Sequence, residues 1–298
     1  MDAVCAPDEE WRVILYKENN RIRAAFPFAY MKGKHSFWRI HNPWQAARLG
    51  IWIDYRGKPE KAGTRELYEN KIVEEIVGHL PYFDEFNIAF DARFQNWQQF
   101  YRMGFQQTSH YSYTLENGTD VLQTLSSKTR NQYRALEQEY HVTENIGIEE
   151  FWAFFEKSFQ QRGRLISYSK EQFFRLYEAV QNHGCCHLIA CRDSGGQVFA
   201  VVYTISDSRR LYTMFNTFDT TPKRSPLPLA TLRAIDLANQ EGLSFDFEGS
   251  MIPGVANYDV KFHGVKEPYF VISNHSDKYR FFNGLRESAR ALKNIVKG

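Results

Sequence analysis

The chain has 298 residues, of which 43% are apolar, 24% charged and 16% aromatic. This composition excludes disordered, collagen-like and low-complexity proteins, and the length predicts two globular domains. The 37 Lys and Arg nearly balance the 35 Asp and Glu, which excludes a strongly basic nucleic-acid-binding domain. A polyanion could therefore bind only at a local basic patch.

The first residues, MDAVCAPDEEW, lack the basic and then apolar pattern of a secretory signal, and no stretch reaches the roughly 18 apolar residues of a membrane span. We therefore expect a cytoplasmic protein without an integral membrane segment.

Cys185, Cys186 and Cys191 are clustered around one predicted strand, where their side chains would point to opposite faces. This pattern favours buried thiols over a zinc site, so we expect no metal.

Hydrophobic periodicity and turn residues predict the elements of the first half. In chain order they are strands over residues 11–16, 22–30 and 37–40, a helix from Thr64 to before Pro81, a strand over 86–90, a short helix over 97–103 and a strand over 111–115.

In the second half the same signals first predict one long helix, which Asp120 caps and which reaches Tyr140. The elements that follow are helices over 149–162 and 169–184, strands over 187–192, 198–206 and 211–218, a helix over 229–240, strands over 243–247 and 268–273, and a helix from Asp277. The Ser169 and Gln172 pair predicts a capping box.

Both halves follow one order: an antiparallel meander, a helix, a strand, a connection and a final strand. This order predicts an α+β fold of two similar domains, residues 1–118 and 119–298, each with a mixed, mostly antiparallel sheet flanked by helices. Five of the six Trp residues lie in the first hundred positions. We assign that domain a structural or acceptor-binding part and place the chemistry in the second, which also carries the C-terminal helix.

Three segments of the second half carry the most specific information. They are residues 126–134 (SSKTRNQYR), residues 159–163 (FQQRG), and residues 245–250 (FDFEGS) followed by 255–264 (VANYDVKFHG). In this order and spacing they resemble the tandem-GNAT family that includes the FemABX peptidoglycan aminoacyltransferases. The resemblance covers residues 120–275, and the first hundred residues share only the element order.

The resemblance implies two domains of the acyl-CoA N-acyltransferase type and a transferase activity. The acyl or aminoacyl group would pass from an activated donor, aminoacyl-tRNA or acyl-CoA, to a small-molecule or peptide amine such as a peptidoglycan precursor. It implies no tightly bound cofactor and makes tRNA a candidate partner. The oligomeric state stays open.

The chain departs from the family pattern in two places. His263 interrupts the Lys-Phe-Gly segment, and the loop KRSPLP over residues 223–228 lacks the glycine-rich turn that cradles a pyrophosphate. Glycines allow the backbone N–H groups to approach phosphate, whereas prolines remove donors. This departure counts against acetyl-CoA and favours a bulkier donor.

Two acidic residues are the candidate catalytic groups. On a strand, Asp246 and Glu248 would project to the same face, about 7 Å apart. Such a pair can hold an incoming ammonium group and accept its proton during attack on an ester or thioester. The alternative is that both carboxylates only accept hydrogen bonds from the following loop.

Basic residues near these motifs are candidates for contact with substrate phosphates. They are Lys128, Arg130, Arg134, Arg162, Lys223, Arg224 and Lys261. A solvated helix face explains the first three equally well, and Arg162 could instead satisfy carbonyls at the end of its helix.

No nucleophile elbow, Walker loop or metalloprotease motif occurs in the sequence. The alternative to an enzyme is a non-catalytic GNAT-fold module that binds an amine-bearing or phosphorylated ligand, an interpretation motivated by His263 and the proline-rich loop. The near-neutral charge makes a dedicated RNA-binding protein the weaker hypothesis.

Overall fold

The computed structural model describes residues 1–57, 61–144 and 146–297. The chain divides into two units: unit 1 is Met1–His110 with Pro268–Gly298, and unit 2 is Tyr111–Glu267. None of the helices in the described ranges is long and apolar enough to cross a membrane.

Strands and helices alternate along the chain much as the sequence predicts. The elements of its first part are β1 (Glu10–Glu18), β2 (Arg21–Lys32), β3 (Trp38–His41), β4 (Trp52–Ile53), α1 (Ala62–Gly78), β5 (Glu85–Ala89), α2 (Gln98–Arg102) and β6 (Gln106–Leu115). Those that follow are α3 (Val121–Thr124), α4 (Ser127–Glu139), β7 (Tyr140–Thr143), α5 (Ile148–Gln161), α6 (Lys170–Gln181), β8 (Cys186–Asp193), β9 (Val198–Ser206), β10 (Arg210–Phe218), α7 (Leu227–Gln240), β11 (Ser244–Asp246), α8 (Pro253–Asp259), β12 (Val265–His275) and α9 (Asp277–Lys297).

The sheet of unit 1 has the strand order β1-β2-β3-β5-β12, with β4 beside β2. The first three strands form the predicted antiparallel meander, and β5 joins β3 in parallel after the α1 crossover. Ile72 and Ile76 lie one turn apart on α1 and pack into a core that also contains Phe26, Phe86 and Phe90. Phe residues of this half therefore fill its core, whereas Trp11 and Trp52 are exposed.

In unit 2 the strand order is β6-β11-β10-β9-β8-β7, and only β10 and β11 pair in parallel. Neighbouring residues of β9 point to opposite faces of the sheet. Val202 belongs to the core under α7, which Ala230 and Ala234 also enter. Tyr203 packs in the opposite layer, against Phe173 of α6 at a ring distance of 5.8 Å. Helices thus cover both faces, and the predicted α+β class is confirmed.

The division of the chain differs from the predicted one near residue 118. Unit 2 begins at Tyr111, and the C-terminal segment from Pro268 belongs to unit 1. The reason is that Val271–His275 of β12 pair antiparallel with β5, which adds this segment to the sheet of the first unit.

The predicted long helix is wrong in one respect, because it is two helices followed by a strand. Asp120 caps the short α3 as expected, but Leu125 and Ser126 are extended, and the Ser126 hydroxyl accepts the Thr129 N–H to begin α4. Tyr140 then starts β7 instead of ending the helix. The capping box of Ser169 and Gln172 at α6 is confirmed.

A tight turn follows β11 and rests on the backbone of β6. Glu248 and Gly249 both have positive φ, of 62° and 53°. A Cβ atom at Gly249 would lie 2.2 Å from the Tyr111 carbonyl oxygen and 2.6 Å from the Ser112 Cα. Because backbone atoms cannot move aside as a flexible side chain can, this position requires glycine.

Gly249→Ala is expected to lower the free energy of unfolding by about 3 kcal/mol, because the added methyl meets backbone and the residue must keep a left-handed φ. Urea denaturation followed by circular dichroism measures the loss. Gly254→Ala is the matched control, since a Cβ atom there meets nothing within 4 Å. Equal stabilities of the two variants would contradict the close approach.

Candidate functional site

The carboxylate of Asp246 lies fully buried at the end of β11, where protein groups donate to both of its oxygens. The Ser112 hydroxyl donates to Oδ1 at 2.5 Å, the Glu248 backbone N–H donates to the same oxygen at 2.8 Å, and Arg210 Nη1 donates to Oδ2 at 3.0 Å. Asp246 therefore holds the turn that presents Glu248.

Arg210 joins Asp246 to a second carboxylate. Its guanidinium donates to Glu267 through Nη1 at 2.6 Å and through Nη2 at 2.9 Å. These hydrogen bonds to Glu267, and the negative charges of both acids, raise the pKa of Arg210. The network links β10, β11 and β12 and pairs the buried Asp246 carboxylate with a cation.

The predicted geometry of the two candidate catalytic acids is therefore wrong. The strand ends at Asp246, and the left-handed backbone of Glu248 removes it from the strand alternation on which the same-face prediction rested. Asp246 is enclosed by protein groups, whereas Glu248 is partly exposed. Of the pair, Glu248 is the less buried residue, although its Oε2 atom is buried.

A groove of about 660 Å³ opens in unit 2 between α4, the beginning of α7 and the chain that follows α8. Its wall is largely apolar, and its polar groups come from three separate segments. The apolar lining includes Leu125, Tyr133, Leu136, Pro228, Tyr258 and Val260, and the polar lining includes Ser126, Thr129, Arg224, Lys261 and His263. The structure thus brings together Arg224 and Lys261, two of the predicted substrate-binding residues.

The beginning of α7 uses its own backbone donors at this groove. The Leu227 N–H donates to the Ser225 hydroxyl at 3.2 Å, and the Leu229 N–H donates to the Pro226 carbonyl at 2.9 Å. Pro228 has no N–H. These positions leave few amides for a pyrophosphate, so anion binding in the groove depends on side chains.

Two other predicted substrate-binding residues hold the fold together. Arg130 donates to the Leu122 carbonyl at 3.3 Å and to the Leu125 carbonyl, which ties α4 to the end of α3. Arg162 donates to the Thr217 hydroxyl at 2.8 Å and to the Phe218 carbonyl at 2.6 Å. Burial lowers the pKa of Arg162.

The remaining predicted basic residues, Lys128, Arg134 and Lys223, are exposed and lie outside the lining of the groove. Their contact with substrate stays a prediction, as it does for Arg130 and Arg162. In the described ranges, no group of three or more His, Cys, Asp or Glu side chains is placed to hold a metal ion.

Asp259, at the end of α8, is a titratable residue that the sequence reasoning missed. Its side chain is 2% exposed, and Oδ2 has no hydrogen-bond partner within the described part of the chain. Burial and, to a smaller extent, the negative charge of Asp246 together raise the pKa of Asp259 to about 7. The sequence signal for Asp259 was the position of an acid between two apolar residues, Tyr258 and Val260.

Asp259→Asn is expected to stabilise the protein more at pH 8 than at pH 5. With a folded pKa of about 7, the folded state keeps its proton while the unfolded state, with a pKa near 4, loses it. The wild type therefore loses stability as the pH rises through this window, by an amount on the order of 2 kcal/mol between pH 5 and 7. Urea titrations of both proteins at each pH measure the difference, and a pH-independent difference would contradict the assignment.

Comparison with known proteins agrees with this architecture. Residues 124–261, which include most of the groove lining, match the model of the acetyltransferase (GNAT) domain. No curated protein matches the chain by sequence.

Solved structures extend the similarity over most of the chain. FemX aligns with a TM-score of 0.63 at 12% identity and covers 88% of each chain. L-PGS from Bacillus licheniformis aligns with a TM-score of 0.53 at 12% identity, over 94% of this chain and 88% of that one. The C-terminal domain of a putative lysylphosphatidylglycerol synthetase from Agrobacterium fabrum gives 0.52 at 11% identity, over 92% and 86%.

The matched domain and the shared fold confirm the predicted resemblance. Sequence identities of 11–12% to these solved structures show a shared fold and nothing further. Residues 124–261 are thus similar to the GNAT acetyltransferase domain, and the chain shares the fold of FemX over most of its length.

Proposed function

We propose that this protein transfers an acyl or aminoacyl group from an activated donor to a primary amine. The observation that supports the proposal is the groove of unit 2, which Arg224 and Lys261 line together with largely apolar residues. Both residues lie within the range that matches the GNAT domain. Two cations from distant segments suit the phosphates of aminoacyl-tRNA or acyl-CoA, and the apolar wall suits the rest of the donor.

In the proposed reaction the neutral amine attacks the carbonyl carbon of the donor. A C–N bond forms, the C–O bond of an aminoacyl ester or the C–S bond of a thioester breaks, and the ribose hydroxyl or the thiol leaves with a proton. Glu248 holds the incoming ammonium group and accepts its proton. Asp246 is a positioning residue, because its Oδ1 accepts the Glu248 backbone N–H at 2.8 Å.

The backbone at the start of α7 favours a bulkier donor than acetyl-CoA. Its first amides bond to Ser225 and Pro226, so the phosphates would be held by side chains. Lys128, Arg134 and Lys223 are proposed to contact phosphates farther along a polyanionic donor such as tRNA. The proposed acceptor is a small-molecule or peptide amine, for which a peptidoglycan precursor is the first choice, and the proposed location is the cytoplasm.

The double variant Arg224→Ala, Lys261→Ala is expected to raise the KM for the donor by about tenfold or more, since it removes two charge-assisted contacts. The assay incubates the protein with aminoacyl-tRNA, acyl-CoA or acyl-carrier donors and a panel of amines, and detects products by mass. The matched control, Lys170→Ala with Arg233→Ala, removes the same charge outside the groove lining. Equal losses in both double variants would contradict a binding role for the groove.

Glu248→Gln is expected to lower kcat by about a hundredfold with an unchanged unfolding midpoint, because the amide cannot accept the amine proton. Asp246→Asn should instead destabilise the fold by about 3 kcal/mol, because it leaves Arg210 without one of its buried partners. Steady-state kinetics and urea denaturation of both variants separate these effects. Full activity of Glu248→Gln would exclude Glu248 as the proton acceptor.

The second candidate function is a non-catalytic module that binds the same kind of ligand. It is favoured by the enclosure of Asp246, whose oxygens already serve Ser112, Arg210 and the turn. The donor and amine panel decides between the two. A binding module would show a ligand-dependent rise in thermal midpoint with no product from any combination.

A further inference from the structure

The outer face of α9, in unit 1, exposes two large apolar side chains. Phe281 is 72% exposed and Leu285 is 56% exposed. The two residues are four positions apart, which places them side by side on the same face of the helix. A paired Phe and Leu at this level of exposure marks a surface that has a partner.

An adjacent face of α9 attaches the helix to its own unit. The rings of Tyr279 and Phe282 pack edge-on against Phe37 at centroid distances of 5.1 and 5.3 Å. The Phe282 ring also contacts that of His35 at 4.7 Å. Because the helix is held by this face, Phe281 and Leu285 are not needed for its packing.

Charge identifies the partner. Between Asp277 and Lys297 the sequence carries six Lys and Arg against two acids, whereas the whole chain has a net charge of only +2. Lys278 lies one turn before Phe281 and beside the Phe37 ring, at 5.1 Å from its centroid. A basic helix with an exposed Phe and Leu fits the boundary between anionic headgroups and acyl chains, since the cations meet phosphate and the apolar side chains leave water.

We propose that α9 binds the surface of an anionic lipid bilayer and lies in its plane. Phe281 and Leu285 enter the headgroup and acyl boundary, and the exposed Lys278, Arg280 and Arg286 contact the headgroups. This peripheral docking does not depend on the transferase proposal, because it rests on unit 1 and on no residue of the groove.

Co-sedimentation with vesicles tests the proposal. The full chain should sediment with vesicles of phosphatidylglycerol and phosphatidylcholine, sediment less in 0.5 M NaCl, and stay in solution with phosphatidylcholine alone, because screening weakens the headgroup contacts. Phe281→Ser with Leu285→Ser should lower the partition coefficient for the anionic vesicles by at least about tenfold, since two apolar side chains lose their burial.

The matched control is Leu67→Ser, which removes an apolar side chain that is 69% exposed on α1, another helix of unit 1. It should sediment like the wild type, and circular dichroism should show that all variants are folded. Absence of binding to anionic vesicles, equal losses in the control and the double variant, or a concentration-dependent dimer that the double variant abolishes would overturn the proposal.

Discussion

The guanidinium of Arg210 is the group on which the arrangement of unit 2 depends. It bonds to Asp246 on one side and to Glu267 on the other, so that one cation compensates carboxylates from two other strands. Without it, Asp246 would be a buried charge, which is costly. Asp246 in turn accepts hydrogen bonds from Ser112 and from the backbone of Glu248. The ion network thus holds the end of β11 and, through it, the turn that contains Glu248.

The turn after β11 has a particular backbone conformation, and its hydrogen bond to Asp246 helps to hold it. Gly249 lies against the β6 backbone so closely that only glycine fits, and Glu248 takes a left-handed conformation beside it. A non-glycine residue with positive φ costs free energy that the surrounding contacts must offset. The same region holds Asp259, whose carboxyl lies in an apolar setting near Asp246. Unfavourable local features of this kind concentrate where function needs a particular geometry, which agrees with the chemistry proposed for Glu248.

Local signals in the sequence predicted the helices and strands well. The capping box at Ser169, the meander of β1 to β3 and the strand near Phe86 depend on residues close together in the chain, and each appears in the structure. The split at Ser126 was also locally encoded by a serine cap, but the continuous hydrophobic spacing concealed it. The site was predicted less completely. Asp246 and Ser112 are 134 positions apart, and no local pattern indicates that they meet.

What the sequence by itself determined is the α+β class and most of the order of elements, because periodicity, caps and turns act over a few residues. Three short motifs of the second half also carried the resemblance to GNAT proteins. Only the tertiary structure decided which basic side chains bond to the protein itself and which line the groove. Arg130 and Arg162 hold carbonyls, while Arg224 and Lys261 line one groove. Before folding all of these side chains are equally solvated cations. After folding they differ in burial and in their partners. Some of these cations bond to carbonyl groups of the protein, and others line the groove.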